Sequence, residues 1–270
     1  MLRILFAAIL LLHGLIHLMG FAKAFKYAEI NQLQLPVSRP TGSFWLLASL
    51  IFVISTILFL LKKDTWWMFA LPAILISQAL VFRFWQDAKF GSIANIIILL
   101  GVALAWGGWS FNRMVEKEKQ AFLPRPNEQI QTILTREMLA GLPPIVQSWL
   151  ERSNSIGKPF AQTVHLQQQG EMRTSPDGKW MTFEAQQIIQ VPEPGFIWTV
   201  CVQAAPFVEL TGRDKYEAGK GYMLIKALSL ITVADASGPK PTRAPCCGIL
   251  AADLASRRCI VGVHSMGSPG

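Results

Sequence analysis

Charged residues are scarce in this sequence. Only 16% of its 270 residues are Asp, Glu, Lys or Arg, whereas 51% are hydrophobic, and soluble domains carry about 25% charged residues. The deficit is concentrated in four apolar runs in the first half of the chain. It argues against an ordinary water-soluble fold for that half.

Cysteines are few, and their spacing does not suit metal binding or a disulfide framework. Cys246, Cys247 and Cys259 lie near the C-terminus, but they do not form the paired Cys-x₂₋₄-Cys units of common zinc sites. We therefore predict no metal site. Cys201 stands alone in a strand-like segment, where a lone cysteine is usually a small core hydrophobe.

Catalytic and phosphate-binding motifs are also missing. The sequence contains no nucleophile elbow, no P-loop, no G-x-G-x-x-G and no H-E-x-x-H. The net charge is +8, but residues 112–239 hold thirteen basic and thirteen acidic residues, so that segment has no basic excess to neutralise phosphates. We expect no cofactor and no nucleic-acid partner, and we favour a non-enzymatic protein.

Each of the four apolar runs is about 20 residues long, the length of helix that crosses a bilayer. The runs lack the alternation of barrel strands, and several tryptophans lie near their ends, where indole rings prefer the membrane interface. The first run could be a signal peptide, but no small-x-small cleavage site follows it. The lipid bilayer is thus the predicted partner of residues 2–21, 43–61, 66–85 and 93–111.

An even number of spans places both chain ends on one side of the membrane. That side would carry six Lys or Arg residues and the other side five, so the positive-inside rule favours a cytoplasmic C-terminal domain. The six are Arg3, Lys62, Lys63, Arg113, Lys117 and Lys119, and the five are Lys23, Lys26, Arg39, Arg83 and Lys89.

The sequence becomes more polar after residue 111. Ile130, Ile133, Leu134 and Met138 are spaced by three and four residues, which predicts an amphipathic helix. The segment "LPPIVQSWLERS" predicts a second, shorter helix.

From residue 163 the hydrophobic period drops to two, as in strands with one buried face. Turn signals occur at "SPDG" and at residues 218–221. The predicted fold class is α+β: a four-helix transmembrane bundle, short helices and an antiparallel β-meander. The predicted domains are residues 1–111 (transmembrane), 112–159 (helical linker), 160–239 (β-rich) and 240–270 (an irregular tail).

Several phrases resemble a family of uncharacterised bacterial multi-pass membrane proteins with a C-terminal β-rich domain of unknown function. They include "HGLIHLMGFAKAF", "KWMTFEAQQ" and "GRDKYEAGKGYMLIKALSLITVADASGP". The resemblance covers most of residues 1–239. It implies the architecture and a bacterial inner membrane location, and it implies no reaction.

The resemblance also bears on the tail. In that family a different sequence follows "DASGP". Codons for that sequence, read one base later, encode "TRAPCCGIL", which is residues 242–250 here. We therefore interpret residues from about 240 onward as a frameshift. This interpretation predicts an incomplete β-rich domain with an open sheet edge and no regular strand in the tail.

The candidate ligand-binding residues lie in or between the apolar runs. Histidines four apart share a helix face and could hold haem, a metal or a proton, or could simply hydrogen-bond across helices. An acid and a base in "WQDAKFG" could anchor a head group or a partner, or could simply lie in a solvated tight loop. Gln78 and Asn95 lie inside apolar runs and are interpreted as interhelical hydrogen-bond donors. The candidates are His13, His17, Gln78, Asp87, Lys89 and Asn95.

Three functions remain open on these observations. The first is an integral membrane protein that binds a lipid or other apolar ligand through its β-rich domain. The second is a membrane redox or haem- or metal-binding protein using His13 and His17. The third is a small transporter with Gln78 and Asn95 along its path.

Overall fold

The computed structural model describes residues 2–123, 133–159, 162–191, 193–206, 208–238 and 260–264. The chain divides into two compact units, Met1–Phe111 and Asn112–Gly270. Within the described residues, four helices are long and apolar enough to cross a membrane, as predicted. They are α1 (Leu2–Ala24), α2 (Arg39–Leu60), α3 (Trp66–Arg83) and α5 (Gly91–Phe122), and a single turn, α4 (Trp85–Ala88), lies between the last two.

Large apolar side chains point outward from these helices. Leu12, Leu75 and Leu100 are each at least 60% exposed, whereas His13 and Ser77 are almost completely buried. This distribution is unfavourable in water, but it is the one expected where hydrocarbon surrounds the bundle and polar groups satisfy one another inside it.

All four long helices contribute to one apolar cluster. Leu10 of α1, Phe52 of α2, Ala70 of α3 and Ile98 of α5 lie in it. Small residues allow α1 and α2 to approach closely, because a Cβ built on Gly20 would lie 2.1 Å from the Trp45 ring. Such close helix contacts are typical of membrane bundles.

Between the helices and the sheet, the described residues contain one short α-helix, α6 (Pro144–Arg152). The predicted amphipathic helix around Ile133 and Leu134 is wrong for its described part, which has only a 3₁₀ turn at Glu137–Leu139. Leu134 instead exchanges backbone hydrogen bonds with Lys158 and Gly157. These bonds consume the N–H and C=O groups that a helix would need.

The second unit contains an antiparallel sheet whose order is β6-β5-β4-β3-β2-β1-β7. The first six strands form the predicted meander, so the α+β fold class is confirmed. They are β1 (Thr163–Met172), β2 (Met181–Gln190), β3 (Gly195–Ala205), β4 (Val208–Glu217), β5 (Lys220–Ala227) and β6 (Ile231–Gly238).

Both predicted turns are present. The Gly178 N–H donates to the Ser175 carbonyl at 3.0 Å. Glu217 pairs with Lys220 across a two-residue loop, and both loop residues have positive φ, 49° at Ala218 and 77° at Gly219. That combination fits a tight hairpin turn of the primed type.

The prediction that the tail contains no regular strand is wrong for residues 260–264. Strand β7 (Ile260–His264) pairs antiparallel with β1, with Gln168 opposite Val261. The short apolar run "IVGVH" supplies the backbone donors and acceptors that the edge of β1 lacks. The three tail cysteines lie outside the described residues.

The C-terminal turns of α5 pack on one face of the sheet. Phe122 forms a buried cluster with Ile188 and Ile197. Next to it, Arg213 Nε lies 3.0 Å from Glu118 Oε2. The two groups form an ion pair but are not aligned for a hydrogen bond. This face of the sheet is thus partly covered by the same chain.

Candidate functional site

Six buried or half-buried polar side chains of α1, α3 and α5 form one hydrogen-bond network, which ends where Gln78 Nε2 donates to Ser92 Oγ at 3.1 Å. The Ser77 hydroxyl lies 3.0 Å from His17 Nε2 and 3.2 Å from His13 Nε2. Asn95 Nδ2 donates to Ser77 Oγ and to Gln78 Oε1, both at 3.0 Å. Four of the six predicted candidate residues therefore lie in one place.

The partners fix the proton positions of a neutral histidine pair. His17 Nδ1 donates to the His13 carbonyl at 2.7 Å, so His17 Nε2 accepts the proton of the Ser77 hydroxyl. His13 Nε2 lies 2.9 Å from Asn95 Oδ1, which can only accept, so this nitrogen carries a proton. It follows that His13 Nδ1 bears a lone pair, and it has no hydrogen-bond partner among the described residues.

The network does not favour metal or haem ligation by both histidines. Three of their four ring nitrogens already make hydrogen bonds. Ligation through either Nε2 would break bonds to Ser77 or Asn95 inside a bundle, where few replacement partners exist. Among the described residues, no group of three His, Cys, Asp or Glu side chains is placed to hold a metal ion.

A cavity of about 330 Å³ adjoins the network. His13 and His17 line one side, and the rest is lined by the loop between α1 and α2, by Trp45 of α2 and Val81 of α3, and by α4 and the start of α5. Gly91 leaves room there, because a Cβ at this position would lie 3.7 Å from His13 Cε1. The cavity contains one carboxylate, Asp87, and no described lining residue is Lys or Arg.

The two candidates in "WQDAKFG" have different environments. Asp87 Oδ2 accepts the Leu35 N–H at 2.9 Å, which ties α4 to the loop between α1 and α2 at the cavity. Lys89 is exposed, and its ammonium lies 5.4 Å from the ring centre of Phe90, a residue that lines the cavity. Lys89 is therefore near the cavity without lining it.

Sequence reasoning missed two residues of this site. Ser77 is the hub of the network and is fully buried, but a single serine in an apolar run is too common to signal a role. Trp45 lines the cavity and is 4% exposed, and its indole N–H has no hydrogen-bond partner among the described residues. The sequence indicates only an interfacial tryptophan here, because Trp45 lies near the start of the second apolar run.

The sheet has one apolar face. Phe183 stands opposite Val202, and Ala185 stands opposite Val200. Together with partly buried neighbours that include Leu210, they form an apolar cluster. The face opposite to the end of α5 is therefore apolar and incompletely buried.

One carboxyl lies on this apolar face. Asp214 is opposite Trp198 and opposite Met223 on the two neighbouring strands. Burial raises the pKa of Asp214 to about 6, and the positive charge of Arg213 opposes that rise. Asp214 therefore titrates close to neutral pH.

Cys201 does not occupy the core position expected of it. It is exposed on the polar face, because the alternation of β3 places Val200 and Val202 on the apolar side. It lines a shallow pocket of about 460 Å³ with Glu184 and Glu209. Partial burial of its sulfur and these two carboxylates raise the pKa of the Cys201 thiol, which keeps it in the unreactive protonated form.

Residues 132–252 match a family of unknown function, DUF6544. The match covers the second part of the linker and strands β1 to β6, and it ends within the tail before β7. No curated protein and no solved structure matches the chain.

Proposed function

We propose that this chain is an integral protein of a bacterial plasma membrane that binds an acyl chain on the apolar face of its sheet. The supporting observation is the difference between the two faces: α5 packs on one, and the cluster of Phe183, Ala185 and Val202 lies on the other. Burying apolar surface yields about 25 cal/mol per Å². A lipid or lipoprotein acyl chain is the ligand that such a surface near a membrane would meet.

The test is native mass spectrometry of the full-length chain extracted in mild detergent. We expect a co-purifying lipid or fatty acyl species. Val200→Asn places a polar side chain on the apolar face and should lower its occupancy at least tenfold, whereas Thr199→Asn, one residue away on the other face, should not. Circular dichroism of both variants checks that the sheet has formed, and equal occupancy in both would overturn the proposal.

The proposed location follows from the four apolar helices and from the resemblance to bacterial membrane proteins. The chain should remain in the membrane pellet after alkaline carbonate extraction, and its release would overturn membrane integration. The proposed orientation has both ends in the cytoplasm, supported by the count of Lys and Arg between the spans.

A change of reading frame near residue 240 is proposed for the tail. Its support is that residues 242–250 match the codons for the family's sequence after "DASGP" when these are read one base later. Two observations favour the alternative, a genuine tail. The strand Ile260–His264 pairs with β1, and the family match reaches residue 252. Sequencing of the genomic locus decides between them, since a single intact frame through this region would overturn the proposal.

A further inference from the structure

The cavity beside His13 is a built site that the proposed binding of an acyl chain to the sheet does not use. His13 is 4% exposed, it lines the cavity, and its Nδ1 lone pair has no partner among the described residues. Asp87 has one oxygen held by Leu35 N–H, and its second oxygen has no partner in the same part of the chain. Two acceptors without donors therefore border one space.

His13 and Asp87 require hydrogen-bond donors on a ligand, and the cavity also requires a hydrogen-bond acceptor on it. The indole N–H of Trp45 is buried and unpartnered among the described residues, and Trp45 also lines the cavity. The ammonium of Lys89 lies beside Phe90 at the same end of the bundle. A ligand that satisfies all of these groups carries several N–H donors at one end and negatively charged oxygens at the other.

We propose that this cavity binds the head group of a lipid with a primary ammonium and a phosphate, as in phosphatidylethanolamine. The ammonium donates to His13 Nδ1 and to the Asp87 carboxylate. The phosphate oxygens accept from Lys89, and from Trp45 Nε1 where they reach it. The acyl chains remain in the bilayer against the exposed apolar surface of the helices.

The volume and the chemistry both select this head group. About 330 Å³ accommodates a small polar group and not a whole lipid. A phosphatidylcholine head group has the same charges but no N–H donors, so it leaves both acceptors unpaired. A phosphatidylglycerol head group has hydroxyl donors but no cation to pair with Asp87, and charge-assisted hydrogen bonds are the stronger ones.

The experiment uses the full-length chain in detergent and native mass spectrometry. Phosphatidylethanolamine, phosphatidylcholine and phosphatidylglycerol with identical acyl chains are added in equal amounts. We expect about tenfold higher occupancy by phosphatidylethanolamine, the ratio that one charge-assisted hydrogen bond supplies. Equal occupancy by the three lipids would overturn the proposal.

Four variants locate the binding. Asp87→Asn keeps an acceptor for Leu35 N–H but removes the charge, and Gly91→Ala adds a methyl beside His13 Cε1 and Val81; both should abolish the preference. Gly108→Ala, in the same helix with no atom within 4 Å of the added Cβ, should keep it. Lys89→Gln, at an exposed position, should lower the occupancy of all three lipids.

Two further outcomes would overturn the proposal. One is a preference that survives in both Asp87→Asn and Gly91→Ala while thermal unfolding shows that these variants are folded. The other is displacement of the bound lipid by millimolar O-phosphoethanolamine, which would assign the site to a free head group. Val200→Asn on the sheet should leave the preference intact, so failure of the acyl-chain proposal and failure of this one are distinguishable.

Discussion

At the scale of the residue, Ser77 holds the buried network together. It donates to His17 Nε2 and accepts from Asn95 and His13. Removing its hydroxyl leaves groups of three side chains without this partner inside an apolar bundle. The loss should therefore exceed that of a surface serine.

We expect Ser77→Ala to lower the free energy of unfolding by about 1–2 kcal/mol. Ser43→Ala is the matched control, since Ser43 is an exposed helical serine bonded to the Arg39 carbonyl. The measurement is equilibrium unfolding in detergent followed by tryptophan fluorescence. Equal effects of the two substitutions would show that the network contributes no stability.

Asp214 makes the stability of the sheet depend on pH. Its folded pKa of about 6 lies above the ordinary aspartate value of 3.8, so the folded state holds a proton that the unfolded state releases. The stabilisation is complete below about pH 4 and is lost as the pH rises through 6.

Asp214→Asn should remove that dependence and raise the free energy of unfolding at pH 8 by about 1–2 kcal/mol relative to the wild type. Asp235→Asn, at an exposed position of β6, should change little. The measurement is the melting temperature of each protein between pH 4 and pH 8. A wild-type curve that rises with pH across that range, with Asp214→Asn parallel to it, would contradict this assignment.

Residue patterns predicted part of the site. Histidines at a spacing of four, with Gln78 and Asn95 in other runs, indicated interhelical hydrogen bonding because polar groups in hydrocarbon must find partners. The grouping itself depends on which faces of α1, α3 and α5 meet. Helix packing sets that, and one sequence does not reveal it.

At the scale of the element, the hairpin between β4 and β5 carries local strain. Its turn needs positive φ at both central residues, and Ala218 meets that need with a φ of 49°. An L-residue with a Cβ pays about 1–2 kcal/mol there, whereas glycine does not.

Ala218→Gly should therefore raise the free energy of unfolding by about 0.5–1 kcal/mol. The same substitution at Ala236, which lies inside β6 and opposite Met223, should lower it by a similar amount, because glycine weakens a strand interior. Thermal unfolding of the two variants checks the opposite signs. A destabilised Ala218→Gly would show that this turn is not strained.

The strands of the meander and the long helices were predictable because each segment is long enough to show its hydrophobic pattern. The segment around Leu134 was not, since spacings of three and four over nine residues also fit a chain held by backbone bonds to Lys158. Strand β7 was missed for another reason. Five residues carry little periodic signal, and only the unpaired edge of β1 gives them a partner.

At the scale of the whole molecule, the orientation in the membrane can be measured directly. We expect a green fluorescent protein fused after residue 270 to be fluorescent in bacterial cells and an alkaline phosphatase at the same place to be inactive. Fusions in the loop between α1 and α2, after residue 34, should give the reverse. Active phosphatase at the C-terminus would reverse the proposed orientation.

The strand order also sets a sequence of folding events. From β1 to β6 each strand pairs with its neighbour in the chain, so hairpins can close over short loops as synthesis proceeds. The pairing of β1 with β7 joins His165 to His264, so it can form only after residues 260–264 have left the ribosome. For that interval the outer edge of β1 is open, and the nascent protein is then most exposed to aggregation and to proteases.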